Sequence, residues 1–207
     1  MNFVIKALTP ELTADFFDFF DNRAFTDHEE WSFCYCTFFH MDKEHEQRVE
    51  EEVKANSGKD ALRNCLKNTA VAFLKENTLQ GYLAYIQGVP VGWCNANDKS
   101  AYSRFDFNPE VSEFIRTYSN DKTKTVACFT IAPEYRGRGL ATALLERVVS
   151  DAGAEGYAFV EVYPRLHDIR EPFDYNGPVR LYKKAGFAEV ARKGKVIIMR
   201  KEPEKQP

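Results

Sequence analysis

A short segment rich in glycine and arginine is the clearest indication of chemistry in this chain. It reads Arg136-Gly137-Arg138-Gly139-Leu140-Ala141 and lies between an apolar run, residues 125–131, and a long amphipathic segment. Glycine lets the backbone approach a bulky anion, and arginine can neutralise the anion's charge. The first N–H groups of a following helix point outward at the positive end of the helix dipole. The segment therefore predicts a pyrophosphate-binding loop.

The spacing of the glycines separates three kinds of phosphate-binding loop. A Walker A loop requires Gly-Lys-Ser/Thr, which is absent here. A dinucleotide loop requires Gly or Ala at the sixth position from Gly137, where Thr142 stands, and about sixty residues remain, too few to complete a doubly wound sheet. The third pattern is Arg or Gln, two residues, Gly, one residue, then Gly or Ala. Arg136, Gly139 and Ala141 match it.

With this loop and a second segment, Leu181-Tyr182-Lys183-Lys184-Ala185-Gly186-Phe187, the chain resembles the GCN5-related N-acetyltransferase (GNAT) superfamily. The second segment is similar to the family's L-Y-x-x-x-G-F pattern, and the resemblance covers roughly residues 82–200. It implies an α/β, GNAT-like acyl-CoA N-acyltransferase fold with a mixed central sheet flanked by helices and a helical N-terminal third. It also implies that acetyl-CoA is the co-substrate and that acetyl passes to a primary amine by direct transfer in a ternary complex.

The resemblance also assigns roles to individual residues. In the family, the strand before the loop pairs with the pantetheine arm, and the loop and first helical turn hold the pyrophosphate. The corresponding cofactor contacts are Phe129, Thr130, Ile131, Arg136, Gly137, Arg138, Gly139, Leu140, Ala141 and Thr142. Tyr182 stands where the family has a tyrosine that protonates the leaving thiolate. A family asparagine lies seven residues before that tyrosine; Tyr175 stands there, and Asn176, which follows it, is the candidate cofactor contact.

The general base is less clearly indicated. Some relatives carry a glutamate on the strand before the loop, but residues 125–131 contain no carboxylate. Glu161 interrupts a later apolar run, residues 157–163, and burial there would raise its pKa, so it is the candidate base. The alternatives are that Glu161 is a paired structural residue, that a water chain takes the proton, or that there is no dedicated base.

An aromatic segment, residues 29–40, lies where family members bind their acceptor. Aromatic rings with a few carboxylates suit a partly apolar amine, so Glu30, Trp31 and Tyr35, with Tyr85 of a predicted hairpin, are the candidate acceptor contacts. Cys34, Cys36 and His40 also admit a zinc site. Their spacing is cramped and no second ligand pair follows, so buried thiols are favoured and no metal is expected.

Length and composition limit the classes of protein. A chain of 207 residues, 44% hydrophobic and 29% charged, predicts one globular domain over residues 1–200. Within it, a cofactor core of about residues 80–200 follows acceptor-binding helices of about residues 10–78. A charged tail with two prolines, residues 201–207, is expected to be disordered. A net charge of −3 gives no reason to expect nucleic-acid binding.

The expected setting follows from the same simple properties. The start of the chain lacks the pattern of a signal peptide, no apolar stretch is long enough to span a membrane, and the odd number of cysteines, five, indicates reduced thiols. These features predict a cytoplasmic protein that does not associate with a membrane. The resemblance implies acetyl-CoA and an amine acceptor as its partners, and the protein is expected to be a monomer or a homodimer. The alternative function is a CoA-binding sensor or partner protein without catalysis.

Periodicity and turn residues predict the elements that position these groups. Strands are predicted at residues 3–8, 82–86, 89–94, 125–131, 157–163, 187–191 and 195–200. Helices are predicted at residues 10–22, 42–56, 61–75, 109–118 and 179–185, and another begins at the glycine-rich loop. This order agrees with the fold that the resemblance implies.

Overall fold

A seven-stranded mixed sheet with helices on both faces forms the protein in the computed structural model, which describes residues 2–56, 58, 60–166 and 175–204. The strands are β1 (Val4–Ala7), β2 (Gly81–Ile86), β3 (Val89–Asp98), β4 (Thr123–Ile131), β5 (Phe159–Val162), β6 (Ala188–Lys193) and β7 (Val196–Lys201). The α-helices are α1 (Thr13–Asn22), α2 (Lys43–Ala55), α3 (Ala61–Lys75), α4 (Pro109–Thr117), α5 (Leu140–Ala154) and α6 (Val179–Lys184). The predicted α/β fold class is thus confirmed.

The sheet has the strand order β1-β2-β3-β4-β5-β7-β6. Every neighbouring pair is antiparallel except β4 and β5, which run parallel. These two strands pair only from Thr123 to Val126 of β4 against Phe159 to Val162 of β5. Among the described strands, the last five residues of β4 therefore have a partner only on the β3 side.

Local sequence explains where the main elements begin and turn. Gln87 and Gly88 join β2 to β3 with φ of 51° and 80°, the two positive values that a tight hairpin turn requires. The Asn108 side chain caps α4 by accepting from the Glu110 N–H at 2.9 Å, and Pro109 opens that helix. The predicted hairpin and short helix are confirmed at these positions.

Two apolar layers cover the two faces of the sheet. On one face, aromatic residues of α1 pack on β3, where the rings of Phe16 and Trp93 lie edge to face at 5.0 Å between centroids. On the other face, Leu144 and Val148 of α5 are fully buried and pack against the sheet with Val160. The second layer fixes the start of α5, and with it the glycine-rich loop, beside the end of β4.

The tail predicted to be disordered, residues 201–207, includes residues that are ordered in the structure. Lys201 belongs to β7 and is paired with Val160 of β5, and Pro203 is buried. A Cβ built on Gly153, near the end of α5, would lie 2.1 Å from the Glu204 carbonyl oxygen, so this segment packs closely on the helix. Residues 205–207 of the predicted tail lie outside the described residues.

No helix in the described part of the chain is long and apolar enough to cross a membrane.

Candidate active site

The glycine-rich loop presents backbone N–H groups to open space. Gly137 and Gly139 have φ of 74° and 86°, which residues with a side chain rarely adopt, and a Cβ at either would meet nothing within 4 Å. No side chain caps α5, whose first internal hydrogen bond runs from the Ala143 N–H to the Gly139 carbonyl at 3.0 Å. The N–H groups of residues 140–142, Leu140, Ala141 and Thr142, therefore lack a helical acceptor, as an anion site requires.

The two arginines of the loop have different surroundings. Arg136 donates through Nε to the Ile131 carbonyl at 3.0 Å, and its terminal nitrogen lies 2.5 Å from the Asp27 carboxylate. Partial burial raises the pKa of Asp27, but the hydrogen bond and charge of Arg136 lower it overall. Arg138 is exposed and lies 5.6 Å from the centre of the Tyr135 ring. One arginine thus links the loop to the segment after α1, and the other faces solvent.

The edge of β4 beyond its pairing with β5 carries two unpaired backbone groups. The Ala132 N–H donates to the Val91 carbonyl at 3.0 Å. The backbone N–H and C=O groups of even-numbered residues here therefore point to β3, and those of odd-numbered residues point to the opposite edge, beyond the end of the pairing with β5. On that side the Phe129 N–H donates to the Tyr175 carbonyl at 2.8 Å. The Phe129 carbonyl accepts no hydrogen bond from another described residue, and the Ile131 N–H donates none to one. The backbone groups of Thr130 point to β3, and its side-chain hydroxyl lies 3.7 Å from the Cys128 sulfur.

Asn176 joins this edge to Tyr182. Its side-chain amide donates to the Ala127 carbonyl at 3.3 Å, and its own carbonyl accepts the Tyr182 hydroxyl. Gly177 follows with φ of 75°, and a Cβ there would lie 3.0 Å from the Tyr182 hydroxyl oxygen. Tyr182 is fully buried on α6. The predicted acid and the predicted asparagine are thus brought together at the end of the paired part of β4 and β5.

Glu161 lies in a buried ion-pair network. Its two carboxylate oxygens lie 2.8 Å from Lys99 Nζ and 2.5 Å from Arg200 Nε, and the Tyr163 hydroxyl donates to it at 2.7 Å. The side chain of Glu161 is completely buried. Both carboxylate oxygens are therefore occupied by partners inside this network. The geometry favours the structural alternative over the predicted base.

Two of the four candidate acceptor contacts are core residues. Tyr35 is fully buried and donates to Asp21 Oδ1 at 2.6 Å, and Tyr85 is nearly buried and donates to Asp15 Oδ2 at 2.8 Å. Burial raises the pKa of both phenols. Each hydroxyl thereby ties its segment to α1. An aromatic run that covers a sheet face satisfies its polar groups in this way, and neither ring is placed to receive an acceptor.

The other two candidates, Glu30 and Trp31, lie in a short 3-10 turn, Glu29–Trp31. Glu30 is exposed and lies 2.9 Å from His28 Nδ1, and Trp31 stacks on Phe33 at 6.0 Å between ring centres. This turn follows Asp27, the partner of Arg136. The ion pair therefore holds the turn close to the glycine-rich loop.

Sequence reasoning missed Asp27 and Tyr175, both of which contact predicted site residues. No local pattern marks Asp27, because its contact with Arg136 spans 109 positions in sequence. Tyr175 did have a signal, since it stands at the family's asparagine position, but Asn176 was preferred to it. The zinc alternative finds no support in the described part of the chain, where no three His, Cys, Asp or Glu side chains are grouped to hold a metal ion. His40 instead accepts from the Asn95 amide at 3.1 Å and donates through Nδ1 to the Ala101 carbonyl at 3.1 Å.

Comparison with known proteins gives one family match. The model of the acetyltransferase (GNAT) domain matches residues 77–189, which is more than half of the 207-residue chain. No curated protein matches in sequence.

Solved structures share the fold at low sequence identity. The PaiA N-acetyltransferase from Thermoplasma acidophilum, solved with coenzyme A, has a TM-score of 0.52 and 14% identity, covering 98% of this chain and 99% of its own. The ribosomal-protein-S18-alanine N-acetyltransferase from Escherichia coli has a TM-score of 0.50 and 14% identity, covering 100% and 97%. The GNAT domain of S. lividans PAT has a TM-score of 0.52 and 13% identity, covering 96% and 89%. On the strength of the family match, this chain belongs to the GNAT family of acetyltransferases.

Proposed function

We propose that the protein transfers acetyl from acetyl-CoA to a primary amine of a small molecule or peptide, by direct attack in a ternary complex. The observation that carries the proposal is the edge of β4 beyond residue 126, where two backbone groups have no hydrogen-bond partner among the described residues. The Phe129 carbonyl and the Ile131 N–H offer one acceptor and one donor, spaced as in a strand, to the amides of a pantetheine arm. The same edge ends at the glycine-rich loop, so one extended cofactor would reach both.

The loop would hold the pyrophosphate through its backbone N–H groups, with Arg138 adding a positive charge. The bound coenzyme A in the T. acidophilum neighbour supports a cofactor of this kind. Arg136 would contribute if its ion pair with Asp27 opens. Asn176, the expected cofactor contact, would also hold Tyr182 beside β4, since its carbonyl accepts from the phenol and its amide donates to Ala127.

Tyr182 is the proposed acid of the reaction. The amine nitrogen attacks the thioester carbonyl, the carbon–sulfur bond breaks, and the departing thiolate takes the phenol proton. Asn176 orients the phenol in the resting state by accepting its hydrogen bond. We assign deprotonation of the amine to water, because Glu161 is held by Lys99 and Arg200.

The proposed acceptor contacts are Glu30 and Trp31. Their turn offers an exposed carboxylate and an aromatic surface beside the loop, which suits an amine carried on a partly apolar group. The five unpaired cysteines fit a reducing compartment such as the cytoplasm, where we place the reaction.

A non-catalytic CoA-binding protein is the second candidate. Two observations favour it: the carboxylate predicted as base is locked in ion pairs, and the phenol predicted as acid already donates to a carbonyl. Such a protein would bind acetyl-CoA through the same loop and strand edge and release no thiol in the presence of amines.

The decisive experiment measures acetyl-CoA binding by calorimetry for the wild type and for Gly139→Glu. The variant places a carboxylate in the loop. Gly139→Ala introduces a side chain at the same positive φ without adding charge. Gly194→Glu adds the same charge at another glycine of positive φ, because Gly194 has φ of 60° and open space around it in the β6–β7 turn. We expect binding by the wild type and Gly194→Glu, weakened binding by Gly139→Ala and none by Gly139→Glu.

Turnover is then measured as thiol release with a panel of primary amines. Thiol release that depends on the amine supports acetyl transfer. Binding without thiol release for any amine supports the second candidate. A folded wild type that does not bind acetyl-CoA would overturn both proposals.

A further inference from the structure

Four aromatic rings form a continuous row from the protein surface to the edge of β4. The ring centres of Phe107 and Phe38 lie 4.0 Å apart, those of Phe38 and Phe39 5.3 Å, and those of Phe39 and Tyr175 5.9 Å. Three segments supply these rings: the one before α2, the one before α4 and the one before α6. We call the four rings the aromatic row.

The inner end of the aromatic row lies at the reacting part of the proposed site. The Tyr175 carbonyl accepts from the Phe129 N–H at 2.8 Å, and the next residue, Asn176, accepts from the Tyr182 hydroxyl. On the proposed function, the amine attacks the carbonyl carbon that is bonded to the sulfur Tyr182 protonates, so the amine nitrogen arrives at this end. The Glu29–Trp31 turn, by contrast, borders the glycine-rich loop.

Phe107, at the outer end of the row, is 65% exposed, although an aromatic ring gains free energy from burial. It immediately precedes Asn108, the N-cap of α4, and an apolar residue there often packs on the fourth residue of the helix. That fourth residue is Ser112, whose hydroxyl accepts from the Phe105 N–H at 3.0 Å. A contact with the start of α4 therefore does not explain Phe107, whose ring stacks on Phe38 and leaves an apolar surface exposed.

The segments that carry the outer rings are held together by hydrogen bonds. The Phe39 carbonyl accepts from the Ser103 N–H at 2.9 Å and from the Arg104 N–H at 3.2 Å. The Arg104 guanidinium donates to the Met41 carbonyl at 3.1 Å and lies 4.8 Å from the centre of the Phe38 ring. A surface that is held in place before binding requires little ordering when a ligand arrives.

Carboxylates neutralise two arginines beside the aromatic row. Arg104 pairs with Glu46 at 2.5 Å, and Arg165 pairs with Asp106, the residue before Phe107. The Asp106 side chain is almost fully buried. The outer end of the row thus offers an aromatic surface between ion pairs, which suits an uncharged apolar group, because a charged group would lose its hydration without gaining a partner.

We propose that the aromatic row binds an uncharged aromatic group of the acceptor. The preferred substrate is then a primary amine joined to such a group by a short alkyl chain, with the amine at Tyr175 and the aromatic group at Phe38 and Phe107. This inference rests on the proposed acetyl transfer and adds a substrate class to it. Phe38 and Phe107 would determine specificity without contacting the reacting atoms.

The test compares 4-phenylbutylamine with n-butylamine, the same amine without the ring. Calorimetry gives the two dissociation constants, with and without saturating coenzyme A, and so needs no turnover. Phe107→Ala and Phe38→Ala remove the outer rings, and Phe107→Trp keeps an aromatic ring at the exposed position. Phe3→Ala is the matched control, since Phe3 is also an exposed phenylalanine and lies beside β1 at the far edge of the sheet.

We expect the wild type to bind 4-phenylbutylamine about ten-fold or more tightly than n-butylamine, because the ring is removed from water. Phe107→Ala and Phe38→Ala should each reduce this preference by about five-fold or more and leave n-butylamine binding unchanged. Phe107→Trp and Phe3→Ala should keep the preference. Equal binding of the two amines by the wild type, or a preference that survives both alanine variants, overturns the proposal.

Thiol release from acetyl-CoA with the same two amines separates this proposal from the proposed function. Release with both amines at equal kcat/KM would support acetyl transfer and overturn the role of the aromatic row. Binding that depends on the ring and on Phe107, without thiol release, would support the row as a binding site and overturn the transfer.

Discussion

Arg136 and Asp27 form an ion pair at 2.5 Å that joins the glycine-rich loop to the segment after α1. Both side chains are partly exposed, 41% and 36%. The guanidinium that is best placed by sequence to neutralise a pyrophosphate is therefore already neutralised by a carboxylate. On the proposed function, a pyrophosphate that binds Arg136 would compete with Asp27, and so with the contact that holds the Glu29–Trp31 turn.

Asp27→Asn should tighten acetyl-CoA binding. The substitution removes the competing charge and frees Arg136. An exposed ion pair is worth about 0.2–1 kcal/mol, so the dissociation constant should fall by a factor of about 1.4 to 5. Calorimetry at low salt measures it. Asp18→Asn, which removes an equally exposed partner of Arg23, is the control for net charge. Unchanged or weaker binding by Asp27→Asn would mean that Arg136 does not meet the cofactor.

Tyr182→Phe should lower turnover by about ten-fold or more and leave acetyl-CoA affinity nearly unchanged, since general acid catalysis contributes at least that much. The aromatic ring at position 182 keeps its packing on Phe187 in the variant, so the fold should persist. The matched control is Tyr118→Phe, whose hydroxyl lies 3.3 Å from the Val190 carbonyl at the surface. Thiol release gives turnover. Equal turnover for wild type and Tyr182→Phe would remove the phenol from the chemistry.

Glu161→Gln should destabilise the fold. Lys99 would lose its carboxylate, and the buried Arg200 would keep only the half-exposed Asp121 as an ionic partner, which costs up to about 3–5 kcal/mol in the free energy of unfolding. Urea unfolding measures the change. Glu50→Gln breaks the pair with Lys54, in which both side chains are well exposed, and should cost less than about 1 kcal/mol. A Glu161→Gln protein of normal stability that has lost turnover would instead restore Glu161 as the base.

Stability should depend on the protonation of His40. Burial lowers the pKa of this imidazole from 6.5 to about 4, so between these values the unfolded chain binds a proton that the folded chain does not. The free energy of unfolding should therefore fall as pH drops from about 6.5 to about 4, by up to about 3 kcal/mol from this group. Urea unfolding of the wild type and of His40→Gln across that range isolates the contribution. Parallel curves for the two proteins would contradict it.

The elements could be predicted from sequence because each carries a local pattern. Helix α3 occupies the predicted residues 61–75, and the Gln87-Gly88 turn lies between two strands of the expected lengths or longer. The glycine-rich loop was predictable for the same reason. Gly137 and Gly139 have positive φ, which glycine adopts more readily than any other residue type.

The contacts of the site could not be predicted, because they join residues that are distant in the chain. An acid in an apolar strand is ambiguous by itself, and only the arrival of Lys99 and Arg200 decides that Glu161 is paired. Tyr35 and Tyr85 are similar cases: their carboxylate partners lie on α1, 14 and 70 positions away. Aromatic composition predicted a binding surface where tertiary packing made a core.

The close packing of Pro203 and Glu204 on Gly153 has a practical consequence for anyone who alters the end of the chain. A fusion partner attached directly after residue 200, or a stop codon placed there, would remove the residues that rest on the last turn of α5. That helix begins at the glycine-rich loop, so loss of these residues would loosen the packing of the helix that positions the loop. Affinity tags belong after residue 207, with a spacer.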